Sequence, residues 1–442
     1  MSSVTQLLLL LLCSCHSAIA RAGDESLKAE AVCAQPQVTP SSSSGATVRL
    51  SHRYGPCSAA PSTDEPTITE LLHSDQVRAN YVQRKFSAGA GNDGLQPSDL
   101  TVPTALGSAL KTLQYVITVG IGSPVVTQTM MIDTANDVSW VYCRSPAGTT
   151  LFDPSKSTTY APFSCSAPEC TQLGTRGNGC ANSECQYNVD YATVANSTGT
   201  YGSDTLTLTD SETVTNFQFG CRQDRGVVAG KTDGLMGLGG DAQSLVSQTA
   251  ATYGQAFSYC LPPTNSSSGF LTLGAPSSMA GFVSTPMLRW GSVPTFYGVL
   301  LQDIAVDGKL LNIPPSVFAD RSVMSAGTII SRLPPAAYAA LSTAFKAGMA
   351  QYTAAPPRSI LDTCFDFTGL TSITIPSITL VFDGGVAVDL DGNGILIADC
   401  LAFAAATTPD GVPSIIGNVQ QRTIEVLLDV GQSVVGFRPA AC

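Results

Sequence analysis

The chain carries one strand-and-turn pattern twice, and this duplication is the feature that most restricts its fold. Residues 130–135 (MMIDTA) form an apolar run that ends at Asp133, and an apolar segment with a glycine follows far downstream at residues 234–237 (GLMG). Residues 322–328 (SVMSAGT) and 415–417 (IIG) repeat this arrangement in the second half of the chain. A repeat of this kind indicates two structurally equivalent units. Because 442 residues also exceed one ordinary core, we expect two lobes.

The sequence from Leu113 onward is typical of β structure. Short runs rich in Val, Ile, Thr and Tyr are separated by Gly, Pro, Asn and Ser. Helical periodicity is rare after residue 113 and is clearest at residues 242–253 and 335–352, while an amphipathic stretch near residues 69–86 precedes it. We therefore predict an all-β fold with few short helices, with an N-terminal lobe at residues 113–275 and a C-terminal lobe at residues 276–442.

The N-terminal part has a different composition. An apolar run at residues 7–12 precedes the small residues of Ala18-Ile19-Ala20, which predicts a secretory signal peptide at residues 1–20, too short to span a membrane. Residues 21–112 are rich in Ala, Ser, Pro and charge, and no core-forming strand is evident in them. We interpret them as a pro-segment, and we expect the protein outside the cell or in the vacuole.

Charge and histidine content exclude several classes of function. With 33 acidic and 22 basic residues, the formal net charge is −11, which disfavours a nucleic-acid surface. The histidines, His16, His52 and His73, all precede residue 113, so the mature chain has none for a His-based triad or a His-bearing zinc site. We expect no cofactor and no metal, a monomer, and a peptide or protein as the partner.

Several motifs together resemble those of the pepsin-like aspartic proteases, specifically the plant nepenthesin-like branch. They are residues 132–140 (IDTANDVSW), 233–239 (DGLMGLG), 416–421 (IGNVQQ) and, before the lobes, 52–57 (HRYGPC). The resemblance covers residues 113–442. It implies a bilobal fold with a substrate cleft between two β lobes, each lobe supplying one catalytic aspartate at a tight turn.

Only one of these two aspartates is present. Asp133 matches the first, but alignment over residues 327–335 puts Ser325 at the position of the second and Ala326 after it. Two close carboxylates cannot both ionise, so such a pair shares a proton and provides both a base and an acid. Ser325 is neutral and cannot take part in this division. Asp320 could replace it only through a shift of register.

The resemblance also implies roles for residues around the pair. Thr134 is expected to make hydrogen bonds between the two turns, and Asn136 to support the carboxylate of Asp133. Tyr191 matches the tyrosine of the flap over the cleft, with a buried strand tyrosine as the alternative, while residues 192–195 lack the usual flap glycines. Gly327 and Thr328 are the remaining expected substrate contacts. Ala135 stands where the family has glycine, so its methyl group is expected to crowd the turn.

Ten cysteines lie between residues 143 and 442, an even number that suits disulfides in a secreted protein. The resemblance implies four pairs, and the two cysteines left over suggest a fifth. The expected bridges are Cys165–Cys185, Cys170–Cys180, Cys260–Cys442, Cys364–Cys400 and Cys143–Cys221. Two glycosylation sequons begin at Asn196 and Asn265.

Two functions remain open at this stage. Family resemblance favours an acid-active endopeptidase that cleaves extended peptides. The missing second aspartate favours weak or absent hydrolysis, and thus a homologue that binds or inhibits a protein, peptide or glycan. An error in the sequence at Ser325 is a third reading.

Overall fold

The polypeptide is built mainly from short β-strands. The computed structural model describes residues 40, 45–59, 65–89, 112, 114–143, 152–191, 196–223, 232–318, 321–407, 413–439 and 441–442. Helices are few within these ranges, so the predicted all-β class is confirmed. The predicted signal peptide lies outside the described residues.

The strands of the first half of the chain are β1 (Thr47–His52), β2 (Tyr115–Ile121), β3 (Val126–Asp133), β4 (Trp140–Tyr142), β5 (Ala161–Pro162), β6 (Gly177–Ala181), β7 (Glu184–Asp190), β8 (Asn196–Thr207), β9 (Thr213–Arg222), β10 (Gly234–Gly237), β11 (Ala256–Cys260) and β12 (Ser268–Leu273). Those of the second half are β13 (Val283–Pro286), β14 (Gly298–Val299), β15 (Leu301–Val306), β16 (Lys309–Leu310), β17 (Ser322–Met324), β18 (Ser331–Leu333), β19 (Thr353–Ala355), β20 (Cys364–Asp366), β21 (Ile378–Phe382), β22 (Val386–Leu390), β23 (Leu396–Ile397), β24 (Cys400–Leu401), β25 (Phe403–Ala405), β26 (Ser414–Ile416), β27 (Glu425–Asp429) and β28 (Val434–Arg438). The α-helices are α1 (Ile68–Gly89), α2 (Pro168–Gln172), α3 (Leu245–Gln248), α4 (Ala250–Tyr253), α5 (Pro335–Gly348) and α6 (Gly392–Ile395).

One large sheet joins the two predicted lobes. Its strand order is β13-β28-β27-β11-β12-β1-β2-β3-β10-β4-β9-β8-β7-β6, with β5 paired to β8. Strands β27 and β28, from the end of the chain, therefore continue the same sheet as β2 and β3. The rest of the C-terminal half forms the sheets β14-β17-β26-β18-β25, β16-β15-β21-β22 and β19-β20-β24-β23. A contiguous apolar core runs through both halves, from Ala46 to Phe437.

The expectation that residues 21–112 contain no core strand is wrong. Strand β1 lies between β12 and β2, pairing Leu50 with Gly269 on one side and with Ile117 on the other. Val48 and Leu50 are buried whereas Arg49 between them is partly exposed, the two-residue period of a strand. The run is six residues long and lies in a Ser-rich context, so its sequence signal is weak.

The predicted helices form, with different limits. The stretch 69–86 is confirmed as part of α1, and the stretch 335–352 is confirmed as α5 from Pro335 as far as Gly348. The stretch 242–253 is two short helices rather than one. The Ser244 side chain caps α3 by accepting the Ser247 N–H at 3.2 Å, and Thr249, with φ −102° and ψ 4°, separates α3 from α4. No helix in the described ranges has both the length and the hydropathy needed to cross a membrane.

Candidate active site

Asp133 stands at the end of β3, on a turn held by β10. These two strands run parallel, with Met236 beside Ile132 and Gly237 beside Asp133. The N–H of Gly237 donates to the Ser139 hydroxyl at 3.0 Å. A side chain at Gly237 would put a Cβ atom 2.2 Å from a backbone oxygen of the turn, so the close approach of the two segments requires glycine.

Ser325 stands on the equivalent turn of the second half. Strands β17 and β26 also run parallel, with Met324 beside Ile416, and the N–H of Gly417 donates to the Ser331 hydroxyl at 2.9 Å. Ser331 follows Ser325 by six residues, as Ser139 follows Asp133. The two turns therefore match residue by residue, with Ser325 at the place of Asp133. Asp320, the alternative carboxylate, lies outside the described residues.

The two turns contact each other through Thr134. Its hydroxyl accepts the N–H of Ala326 at 3.0 Å and lies 3.5 Å from the carbonyl oxygen of Met324. This is the inter-turn contact expected for Thr134. Ala326 has no hydroxyl with which to form the reciprocal bond, so only the half made by Thr134 is present.

The Ser325 hydroxyl is engaged within its own turn. It lies 2.8 Å from the Thr328 hydroxyl and accepts the N–H of Thr328 at 3.2 Å. Both residues are fully buried. Among the hydrogen bonds of the described residues, none joins Ser325 to Asp133. Gly327, the other residue expected here, offers its carbonyl oxygen to the Thr112 hydroxyl at 2.6 Å.

Asp133 pairs with a cation that sequence reasoning missed. Nη2 of Arg78, on α1, lies 2.6 Å from Oδ1 and 2.7 Å from Oδ2 of Asp133, and both side chains are fully buried. Oδ1 also accepts the N–H of Ala135 at 2.9 Å. The Arg78 guanidinium lies 5.5 Å from the Tyr81 ring centroid, within cation–π range. Part of the predicted pro-segment thus covers the carboxylate of Asp133.

A second charged residue of α1 contacts the C-terminal half. Asp75 accepts the N–H groups of Ile329 and Ile330 at 2.6 and 3.1 Å, and it pairs with Arg332 at 2.9 Å. Asp75 and Arg78 are three residues apart, so they lie on one face of the helix. In the sequence, this three-residue spacing indicates only that the two charged side chains share a helical face. It does not identify Asp133 and Arg332 as their partners.

Apolar side chains complete the packing of α1 in this space. Phe86 meets Trp290 edge to face, with ring centroids 4.6 Å apart. A buried cluster includes Ala79, Tyr81, Val82 and Phe86 from α1 together with Ala135, Phe296, Val323 and Ile415. Ala135 is 2% exposed within this cluster. The methyl group that distinguishes it from the family's glycine therefore contributes to the surface under the helix.

Tyr191 is fully buried, and its hydroxyl accepts the indole N–H of Trp140 at 2.6 Å. Burial raises the pKa of Tyr191 well above its ordinary value, so its hydroxyl keeps its proton. It is both a buried tyrosine and a residue at the base of the predicted flap. The flap tip, residues 192–195, lies outside the described residues.

Asn136 does not make the expected bond to the carboxylate. Its Nδ2 is buried and has no hydrogen-bond partner among the described residues, while its carbonyl oxygen accepts the N–H of Gly239 at 2.7 Å. The prediction that this side chain supports Asp133 is therefore wrong for this structure, because the residue contributes through its backbone.

A buried ion pair beside the first turn was also missed. Asp137 pairs with Arg176 and accepts the Thr295 hydroxyl at 2.6 Å and the N–H of Asp241 at 3.0 Å. Burial raises the pKa of Asp137, and the neighbouring Arg176 opposes this effect. Since Thr295 follows the predicted lobe boundary, this cluster ties the first turn to the second half of the chain.

Two of the predicted disulfides are wrong. The structure pairs Cys165 with Cys180 and Cys170 with Cys185, so the two bridges cross in sequence instead of nesting. Cys180 and Cys185 face each other across the β6–β7 hairpin, and each reaches a different cysteine at or before α2. The other three predicted bridges are present: Cys143–Cys221, Cys260–Cys442 and Cys364–Cys400.

Paired turns in a duplicated β architecture define the pepsin-like class of fold, and comparison with known proteins agrees. Two family models match, Xylanase inhibitor N-terminal over residues 115–275 and Xylanase inhibitor C-terminal over residues 296–439. An aspartyl protease family protein of Arabidopsis thaliana is 37% identical over 91% of this chain and 88% of its own length. Aspartic proteinase nepenthesin-2 of Nepenthes gracilis is 33% identical over 74% of this chain and 78% of its own. The chain belongs to the pepsin-like aspartic protease family, in its plant nepenthesin-like branch.

Solved structures support the fold alone. The crystal structure titled edgp has a TM-score of 0.61 at 22% identity, covering 74% of this chain and 92% of its own. The crystal structure of basic 7S globulin from soybean has a TM-score of 0.59 at 19% identity, covering 73% of this chain and 90% of its own.

Proposed function

We propose that this chain is a secreted aspartic-protease homologue that binds an extended polypeptide between its lobes and hydrolyses it very slowly or not at all. The observation that carries the proposal is the neutral Ser325 hydroxyl on the turn equivalent to that of Asp133. Asp133 itself is retained with its inter-turn contact through Thr134. The scaffold for substrate is therefore kept while one of its two reactive groups is missing.

The chemistry of peptide hydrolysis explains the expected loss. A base must take a proton from the attacking water, and an acid must protonate the carbonyl oxygen. Two adjacent carboxylates that share one proton do both. A single carboxylate cannot serve as both groups, and the neutral Ser325 cannot supply the second one. Loss of an acid or base of this kind commonly lowers the rate by about 10² to 10⁴.

Residues 21–112 act in this proposal as an inhibitory pro-segment. The support is that α1 neutralises Asp133 through Arg78 and fills the adjoining space with apolar side chains. A homologue that cannot cut itself keeps this helix until another protease removes it. The secretory route is supported by the disulfides and by the exposed position of both sequon residues, Asn196 and Asn265.

A second candidate is a protein that binds and inhibits another hydrolase. The observation that favours it is that both matching family models are described as xylanase inhibitor domains. Its test is titration of a xylanase with the purified chain. If xylanase activity is unchanged at micromolar concentrations of the purified chain, that xylanase is excluded as a target.

The main experiment compares hydrolysis by matched variants of the full chain. The wild type, Ser325→Asp and Asp133→Asn are acidified and incubated with a denatured protein, with and without pepstatin. Each variant is also prepared with the additional substitutions Asp75→Ala and Arg78→Ala, which weaken the binding of α1. A lack of hydrolysis caused by α1 covering the cleft can then be distinguished from one caused by the missing carboxylate.

We expect the wild type to match the Asp133→Asn control, and Ser325→Asp to gain about 10²- to 10⁴-fold in pepstatin-sensitive cleavage. Wild-type cleavage that pepstatin and Asp133→Asn both abolish would refute the proposal. If Ser325→Asp gains nothing, adding Ala326→Thr tests whether the missing inter-turn hydroxyl also matters.

A further inference from the structure

The groups that hold Asp75 form a compact binding site for a carboxylate. Two consecutive N–H groups, of Ile329 and Ile330, reach Oδ1 and Oδ2 at 2.6 and 3.1 Å, and the Arg332 Nη2 reaches Oδ2 at 2.9 Å. All three donors belong to the turn that follows Ser325 or to the start of β18. Hydrogen bonds of this charge-assisted kind are about twice as strong as neutral ones.

The site is organised by the C-terminal half alone. Nη1 of Arg332 donates to the carbonyl oxygen of Ile330 at 2.8 Å, which fixes the guanidinium beside the two N–H groups. Arg332 is fully buried, and its Nε has no hydrogen-bond partner among the described residues. A further donor is thus available to a ligand that enters.

Departure of α1 would leave this site without its anion. Asp75 comes from the predicted pro-segment, whereas every donor stays with the lobe. Two N–H groups and a guanidinium then converge on a position that has lost its acceptor, and charge-assisted hydrogen bonds favour an anion there. The emptied site is therefore suited to another carboxylate.

The site adjoins the turn of Ser325, and the helix that fills it also reaches Asp133. Because Asp75 and Arg78 lie three residues apart on one helical face, their Cβ atoms are about 5–6 Å apart. The cleft thus presents a site for an anion close to a site for a cation. A polypeptide that replaces α1 meets the anion site within a residue or two of Asp133.

We propose that Ile329, Ile330 and Arg332 form a subsite for a carboxylate of the polypeptide ligand, and that Asp75 is its internal mimic. The inference rests on the proposed binding of a polypeptide between the lobes. The carboxylate belongs either to an Asp or Glu side chain or to a chain terminus, since both present the same group to the donors.

The first experiment fills the site with acetate in the full-length Asp75→Ala variant. Removing the carboxylate of Asp75 leaves the three donors without their anion. At pH 7 and constant ionic strength, acetate is expected to raise the Tm of this variant by about 2–5 °C in a saturable way, while acetamide leaves it unchanged. The wild type is expected not to respond, because Asp75 already occupies the site.

Asp391→Ala is the matched control. Asp391 also accepts two N–H groups, those of Asn393 and Gly394 at 2.8 and 3.1 Å, but it is exposed and has no cation among its described partners. Acetate should not stabilise Asp391→Ala. Equal responses to acetate and acetamide in Asp75→Ala, or an equal response in the control, would overturn the inference.

The second experiment identifies the source of the carboxylate. Fluorescent peptides are titrated into the full-length Asp75→Ala/Arg78→Ala chain, comparing an internal Glu with Gln, and a free with an amidated C-terminus. Ten-fold or tighter binding of the Glu peptide assigns the site to side chains, and the same preference for the free terminus assigns it to chain ends. Equal binding of all four peptides would refute the subsite. If no peptide binds while acetate still acts on Asp75→Ala, the proposed polypeptide function fails and the carboxylate site remains.

Discussion

The buried pair of Arg78 and Asp133 should control how firmly α1 is held. Replacing Arg78 by Met removes the cation but leaves the carboxylate of Asp133 buried, with only the Ala135 N–H as its remaining described donor. Breaking one side of a buried ion pair commonly costs 3–5 kcal/mol, because the other charge is left uncompensated. Both side chains are fully buried, so solvent does not reduce this cost. Asp133→Asn should cost a similar amount by leaving Arg78 unpaired.

The double variant Arg78→Met/Asp133→Asn should be much less affected than either single variant. It leaves no uncompensated charge, and Met fills most of the volume of the arginine stem. Nε and Nη1 of Arg78 have no hydrogen-bond partner among the described residues, so the native pair itself already carries a desolvation cost. Removing both partners therefore returns part of that cost.

Amide hydrogen exchange of α1 measures this directly. A loss of 3–5 kcal/mol corresponds to faster opening of the helix by about 10²- to 10³-fold, since each 1.4 kcal/mol is tenfold. The exchange of α5 serves as the internal reference, because its buried side chains belong to the main apolar core. Less than a tenfold effect in both single variants, or additive losses in the double variant, would refute the reasoning.

Two further predictions concern pH and covalent structure. Burial lowers the pKa of His52 to about 4, with help from Arg422 and Arg53. As the pH falls from about 6.5 to about 4, the imidazole of His52 is protonated in the unfolded chain but not in the folded chain, so the free energy of unfolding decreases by up to about 3 kcal/mol. The free energy of unfolding of His52→Gln, measured in urea, should depend less on pH over this range. An unchanged pH dependence would contradict the assignment to His52. Cleavage at Glu169, Arg176 and Glu184 separates the four cysteines of the β6–β7 region. Mass spectrometry should then find Cys165 joined to Cys180 and Cys170 joined to Cys185, and nested pairs would contradict this prediction.

The sequence predicts those parts of the site that are encoded by short, repeated sequence motifs. The turns of Asp133 and Ser325 follow from an apolar strand, a tight turn and a distant glycine segment, and the repetition of these parts sets their equivalence. The equivalence of Ser325 and Asp133 is therefore predictable from the sequence. The contact between Thr134 and Ala326 joins residues 192 apart in sequence, and it was predicted because the family resemblance implies it.

The missed features depend on contacts between distant segments. The amphipathic pattern predicts α1 but not its docking, since the partners of Arg78 and Asp75 lie 55 and more than 250 residues away. Strand β1 was missed because six alternating residues in a Ser-rich segment give little signal until β2 and β12 are known to flank them. The prediction of nested disulfides was wrong for a related reason, because four cysteines allow three pairings that sequence alone cannot separate.

The loss of the second aspartate also changes the charge balance under the helix. In this structure each charge of the α1 face meets one opposite charge, Arg78 with Asp133 and Asp75 with Arg332. An aspartate at position 325 would add a second carboxylate on the turn that contacts the turn of Asp133, and two donors of Arg78 have no hydrogen-bond partner among the described residues. Repulsion between the two carboxylates favours a shared proton in acid, whereas at neutral pH a second ionised group would strengthen the attraction to Arg78. Under the proposed function, we therefore expect Ser325→Asp to couple catalysis to pH-dependent release of α1, whereas with the neutral Ser325 retention of the helix should not depend on the titration of such a pair.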